Sequence, residues 1–228
     1  MRDYVFPPLL LPFFLLLIVL PFFAFVFVFA TSNIFQIVFG LSYDEAVTVF
    51  ALIVIGSLIN IPIYEKEGRI VEKRYRFFGF IYTIRERRKI TVAVNIGGCV
   101  IPAVLALRLV PSLPLDAWLL SFAVCTAVIY RFAMPIEGLG IAVPTFLPPL
   151  IAAASSYLFL LFFGYPLYFL PQMAFSAGVL SALFGADILH LKDIERIGSG
   201  VVSIGGAGTF DGIFLTGIFA VAFSLFFI

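Results

Sequence analysis

The chain has 228 residues, 63% of them hydrophobic and 12% charged, and a formal net charge of +1. A soluble domain carries about a quarter charged residues, so an ordinary soluble fold is excluded. The two cysteines, Cys99 and Cys125, both lie in apolar runs and read as small hydrophobes, which leaves no disulfide and no cysteine metal site to infer.

The apolar residues fall in blocks of about 20, the length a helix needs to cross a bilayer core. Seven candidate spans follow in chain order: 6–29, 43–64, 91–109, 115–134, 141–163, 166–191 and 209–228. The expected fold is an all-α polytopic membrane protein of about seven transmembrane helices, organised as one helical membrane domain over residues 1–228. A signal peptide has a shorter apolar region and a small-residue cleavage site, so the first run reads as a retained span. Pro21 inside it allows a kink; alternatively, Ile34 to Leu41, after Thr31-Ser32-Asn33, forms an interfacial segment.

The segment Glu65–Ile90 holds nine Lys/Arg residues, and the positive-inside rule assigns it to the cytoplasm. Counting spans outward from it puts Arg2, Arg131, Lys192 and Arg196 on the same side. Thirteen of the fourteen Lys/Arg are then inside, and only Arg108 is outside. The N-terminus is expected in the cytoplasm and the C-terminus outside. Alternation on both sides of Gly79 predicts a small basic β-hairpin within this loop. Its charge suits lipid headgroups or nucleic acid, but interspersed acids make a solvated topogenic loop the simpler reading. No nucleic-acid partner is expected.

Several polar residues fall within or beside the spans. Asn60 stands in Gly56-Ser-Leu-Ile-Asn-Ile-Pro62, and Asn95 in Asn95-Ile-Gly-Gly-Cys-Val-Ile-Pro102. Arg131 and Glu137 flank the cytoplasmic end of the fourth span. With Gly138-Leu-Gly-Ile-Ala-Val-Pro144, these breaks predict either broken helices lining a cavity or kinked helices with small-residue packing faces.

Two aspartates carry the strongest chemical signal. Asp187 ends the sixth run, and Asp211 opens the seventh after a glycine-rich loop (192–208). A carboxylate at membrane depth marks a functional site by default. A helix C-terminus is also the wrong end for an anion, so Asp187 needs a partner or a raised pKa; pairing with Lys192 or Arg196 is the structural alternative. For Asp211 the alternative is a favourable first-turn acid behind Thr209 as N-cap. Gly205, Gly206 and Gly208 favour close approach of another backbone. The two aspartates enter from the same end of consecutive antiparallel spans. Together they are candidates for a dyad that shares one proton, one acting as general base and the other as general acid. His190, three residues after Asp187, is a candidate cap of the helix end; a divalent metal held by Asp187, His190 and Asp211 is a weaker option, since three groups do not identify one. No Walker loop, HExxH, CxxC or GxSxG occurs, and no cofactor is expected.

The segments Gly56 to Pro62, Val94-Asn-Ile-Gly-Gly98, Gly185-Ala-Asp187 and Ile204 to Leu215 resemble a prokaryotic integral-membrane family catalogued only as a domain of unknown function (number 1614). The similarity covers about residues 43–228, and its last segment is the most specific. The resemblance implies a prokaryotic plasma membrane and brings no activity with it. Gly185-Ala-Asp187 and Gly208-Thr-Phe-Asp211 look more loosely like the Gly-x-Gly-Asp motif of presenilin-like and prepilin-peptidase-like enzymes. Each departs from that motif, and the Pro-Ala-Leu motif does not occur. Tyr43-Asp44 copies a presenilin Tyr-Asp pair but falls at the outer end of the second span and is not counted.

The leading expectation is therefore an intramembrane aspartyl protease with Asp187 and Asp211 as its dyad, acting on a membrane-embedded peptide. In it, Gly205, Gly206, Gly208, Asn60, Asn95 and Arg131 are the candidate substrate-binding residues. The alternatives are a small-solute or ion transporter with a polar path through broken helices, and a membrane scaffold without chemistry. The bilayer is the expected partner, and no oligomeric state follows.

Overall fold

The structure, a computed structural model, describes residues 10–77, 80–136, 140–193, 200–206 and 212–228. It contains two compact units, the first ending at Phe50 and the second running from Ala51 to Ile228.

In the first unit, α1 (Leu10–Phe39) is one helix of 30 residues that carries Pro21 inside it. It continues through Ile34 to Phe39, so the separate interfacial segment is not formed. A helix apolar on every side belongs in lipid or a core, and α1 is largely uncovered by its own chain. The helix α2 (Tyr43–Gly56) starts at a capping box. The Ser42 N–H and hydroxyl both donate to Glu45 Oε2, at 2.9 and 2.8 Å, and the Glu45 N–H donates back to Ser42 Oγ at 3.4 Å.

The second unit is mostly helical but not all-α. Among the described residues, five strands form two sheets. The hairpin expected within 65–90 is present and longer than expected. Strand β1 (Asn60–Phe77) pairs antiparallel with β2 (Phe80–Asn95), and the pairing runs from Asn60↔Asn95 to Phe77↔Phe80. The expected spans 43–64 and 91–109 are therefore each part strand, part helix. A short apolar run fits a strand as well as a helix segment, and Ile59–Tyr64 and Thr91–Val94 are such runs. Pro62 is tolerated because β1 is an edge strand, which can lack one donor. On the other side of β2, the short strand β5 (Gly200–Ile204) pairs in parallel, with Val94 opposite Ile204. The bundle helices α3 to α6 lie between these two strands in sequence. The second sheet is the small antiparallel pair β3 (Met134–Ile136) and β4 (Gly140–Ala142).

The remaining helices are α3 (Ile101–Leu109), α4 (Leu115–Phe132), α5 (Leu147–Phe163), α6 (Leu170–Ala182) and α7 (Gly212–Ser224). Pro102, one of the expected breaks, lies where a π-helical turn passes into α3. Pro148 falls in the first turn of α5, where the missing N–H would have had no partner anyway. Gly164 closes α5 in the left-handed conformation, φ +72°. Among the described residues, three helical stretches are long and apolar enough to cross a membrane: Leu15–Phe39, Leu115–Phe132 and Leu167–Asp193. The stretches Ile96–Ser112, Leu147–Phe163 and Gly212–Phe227 are apolar but shorter. The count of seven long spans therefore reduces to three long and three short apolar helices among the described residues.

The helix α6 is the axis of the bundle and packs against α3, α4, α5 and α7. Every residue from Met173 to Ala182 is buried. Small residues permit this: Gly178 faces Ala152, Ala220 and Thr216, and Gly217 faces Val179 and Phe175. Buried hydroxyls add interhelical hydrogen bonds. Ser121 Oγ meets Ser155 Oγ at 2.8 Å and Ser156 Oγ at 3.1 Å, and Ser155 Oγ also meets Cys125 Sγ at 3.1 Å. Trp118 Nε1 donates to Ser176 Oγ at 3.1 Å, and Ser176 donates to the Ala106 carbonyl at 3.0 Å.

Candidate functional site: a carboxylate at a π-helical break

The axial helix does not end as an α-helix. From Leu183 to Ile188 it widens into a π-helical turn, with the Leu189 N–H donating to the Phe184 carbonyl at 3.0 Å. Such turns are rare and recur at functional sites. Here the turn holds Gly185-Ala-Asp187. A Cβ at Gly185 would stand 2.9 Å from the Thr126 carbonyl oxygen and 3.0 Å from Ile129 Cβ, so the lack of a side chain lets the turn press against α4.

Asp187 is half-buried and lines a cavity of about 410 Å³. Its walls come from Ile129 of α4, β4 and the loop after it (Ile141 to Thr145), the first turn of α5 at Pro148, the end of α6, and the first turns of α7. Asp187 is the carboxylate among these described lining residues, and the walls are otherwise apolar apart from Thr145 and Thr216. The Thr216 hydroxyl donates to the Gly212 carbonyl at 2.6 Å. Gly212 itself lines the cavity and opens α7. Asp211, the residue before it, lies outside the described residues, as does Gly208.

His190 is buried, and its Nδ1 lies 3.1 Å from the Gly185 carbonyl. In the Nδ1–H tautomer it donates there and caps the helix end, as its position predicts. Its ring packs on Tyr130 with centroids 4.7 Å apart, and the Lys192 ammonium stands 6.0 Å from the other ring of that pair, Tyr130. Among the described residues no group of three His, Cys, Asp or Glu is placed to hold a metal ion.

The other candidate residues separate into two places. Arg131 is exposed on the last turn of α4 and is not part of the cavity wall. Asn60, Asn95, Gly205 and Gly206 converge at the root of the three-stranded sheet. Asn95 is buried; its Nδ2 donates to the Ser57 carbonyl at 2.7 Å and to Asn60 Oδ1 at 3.0 Å. Asn95 Oδ1 accepts from the Gly98 N–H at 2.7 Å and so caps a second π-helical turn, Ile96–Val100. Ser203 Oγ, from β5, donates to Asn60 Oδ1. Gly205 has φ +74°, and a Cβ there would stand 2.6 Å from the Cys99 nitrogen. This node ties the sheet to the bundle, and its polar groups bond to one another.

The cavity wall formed by β4, Thr145 and Thr216 is the part of the site that sequence reasoning did not find. The Gly138–Pro144 segment was its one signal, read either as a broken helix lining a cavity or as a kinked packing face; Ile141 to Pro144 do line the cavity, as strand and loop. Three-residue strands carry too little alternation to be recognised.

Apolar helices around a buried axis, with a carboxylate on a π-turn at the axis end, define a helical membrane protein. The chain belongs to the family described as Protein of unknown function (DUF1614), which matches residues 54–223. No curated protein and no solved structure matches it.

Proposed function

We propose that this protein is an intramembrane aspartyl protease with Asp187 and Asp211 as its dyad. The observation that carries this reading is that Asp187 lines one cavity with Gly212, the chain neighbour of Asp211. Two carboxylates at such a site share one proton, because like charges at close range do not both ionise easily. The ionised one takes a proton from water as the water oxygen bonds to the scissile carbonyl carbon. The protonated one delivers its proton to the carbonyl oxygen. The tetrahedral diol then collapses, the C–N bond breaks, and the amine leaves with the returned proton. The substrate in this reading is a membrane-embedded peptide. The basic segment 65–90 sets the orientation, with the N-terminus cytoplasmic and the C-terminus outside a prokaryotic plasma membrane.

The test is cleavage of single-span peptides in proteoliposomes by the wild type, Asp187→Asn and Asp211→Asn. Each substitution is expected to abolish cleavage while gel filtration and thermal unfolding stay unchanged. A folded variant that still cleaves overturns the proposal.

Two π-helical turns at the ends of apolar helices favour a second reading, a small-solute or ion transporter with its path at those turns. It predicts proteoliposome flux lost on substitution of Asp187, Asn60, Asn95 or Arg131. Flux indifferent to all four sinks it.

A further inference from the structure

The β1–β2 ribbon sorts its residues by face. Successive positions of a strand fall on opposite faces, and directly paired positions share one. Beyond the irregularity between Glu67 and Ile70, the pairs Ile70↔Arg87, Glu72↔Arg85, Arg74↔Thr83 and Arg76↔Ile81 occupy one face. That face holds four arginines, one glutamate, one threonine and two isoleucines. The pairs Val71↔Glu86, Lys73↔Ile84, Tyr75↔Tyr82 and Phe77↔Phe80 occupy the other. That face holds two aliphatic and four aromatic residues, and its one Lys and one Glu cancel in charge and sit at diagonal positions.

At the root of the ribbon, β1 and the residues before it carry uncovered apolar side chains, while Ile90, Val92 and Asn95 of β2 are buried. Leu58, Ile61 and Ile63 are each at least half exposed. At Glu65 and Lys89, paired at 2.9 Å, the ribbon turns polar. It thus rises from lipid-compatible surface and carries an apolar face beyond the point where charge begins. A ribbon standing free in water would leave that face of six large residues wet. An element apolar on one face and arginine-rich on the other lies in the membrane interface, its apolar face at the acyl boundary and its cations at phosphate level.

We propose that the ribbon Ile70–Arg87 lies in the plane of the bilayer surface and that Arg74, Arg76, Arg85 and Arg87 bind anionic phospholipid headgroups. The ribbon is then a lipid-reading arm of the protein, independent of the chemistry at Asp187.

The test uses the full chain in nanodiscs, spin-labelled at Tyr82→Cys or Thr83→Cys, one position on each face. Cys99 and Cys125 are buried, so wild type treated in parallel gives the background. Accessibility to oxygen against a water-soluble nickel chelate reads the depth of each label. In discs containing phosphatidylglycerol, the label at 82 is expected below the phosphates and the label at 83 at or above them. In phosphatidylcholine alone, or with the four arginines changed to Gln, the label at 82 is expected to move into water. A label at 82 that stays in water in phosphatidylglycerol discs overturns the proposal. So does one whose depth ignores both lipid charge and the arginines. A response to duplex oligonucleotide but not to lipid reassigns the face to nucleic acid. Dipolar broadening between labels at 82 in discs holding two chains reassigns it to a second copy.

Discussion

Asn60 and Asn95 face each other across the first rung of the ribbon, with the Asn95 amide donating to Asn60 Oδ1 at 3.0 Å. The same Asn95 side chain serves the Ser57 carbonyl and the Gly98 N–H. One buried amide therefore holds the end of α2, the end of β2 and the start of a π-turn.

Replacing Asn95 by Ala leaves a buried N–H at Gly98 without its partner, at about 1–3 kcal/mol, and frees the part-buried Ser57 carbonyl as well. Asn95→Ala is expected to lower the thermal midpoint in detergent clearly more than Asn60→Ala, because Asn60 is the exposed member of the pair. Equal shifts would show that the node does not depend on the buried amide.

Gly97 packs against the last turn of α2, where an added methyl would collide with the Ile53 carbonyl and the Ser57 nitrogen. These are backbone atoms and cannot rotate away. Gly97→Ala is expected to cost about 3 kcal/mol or more, seen as loss of folded yield or a large drop in unfolding temperature. Gly212→Ala meets open space and serves as the control, expected within about 0.5 kcal/mol of wild type.

The Ser121–Ser155 bond joins α4 to α5 inside the bundle. Interhelical hydrogen bonds of this kind average about 0.6 kcal/mol in membrane proteins. A double-mutant cycle with Ser121→Ala and Ser155→Ala is expected to return a coupling of that order. A coupling near zero would mean that packing alone holds the pair.

Tyr165 donates its hydroxyl to Asp116 Oδ2 at 3.1 Å. That bond, with the neighbouring negative charge, raises the Tyr165 pKa above its ordinary value, which is about 10. The protonated phenol is the bonded form. Its contribution is complete below pH about 10 and is lost as pH rises through the higher folded value. In an alkaline absorbance titration, Tyr165→Phe is expected to remove a late-titrating component, and Asp116→Asn to move it to lower pH. An unchanged profile in both variants would refute the pairing.

Much of the helical part was legible in the sequence because apolar blocks of about 20 residues mark it, although Pro102, Pro148 and Pro171 lie inside those blocks and do not mark their edges. The hairpin was legible from alternation around Gly79, but not its length. Its inner rungs, Ile61 to Tyr64 against Val92 to Val94, are as apolar as the spans beside them, and hydropathy does not separate a strand from a helix there. Asp187 was legible because a carboxylate ending an apolar run is costly. Its π-turn was not, since widening a helix by one residue per turn changes neither composition nor length. The roles expected of Asn60 and Asn95 came from their depth alone; their pairing joins residues far apart in the chain, which no local pattern records.

The parallel ladder between β2 and β5 has one more consequence. It has only five rungs, from Ile90↔Gly200 to Val94↔Ile204, yet it is followed at once by the contact of Gly205 with Cys99. A slip of one residue would displace the following chain by about 3.3 Å and invert every side chain of β5. The ladder acts as a ruler. It fixes where Gly205 meets Cys99, and so where the sheet is fastened to the start of the π-turn that leads into α3.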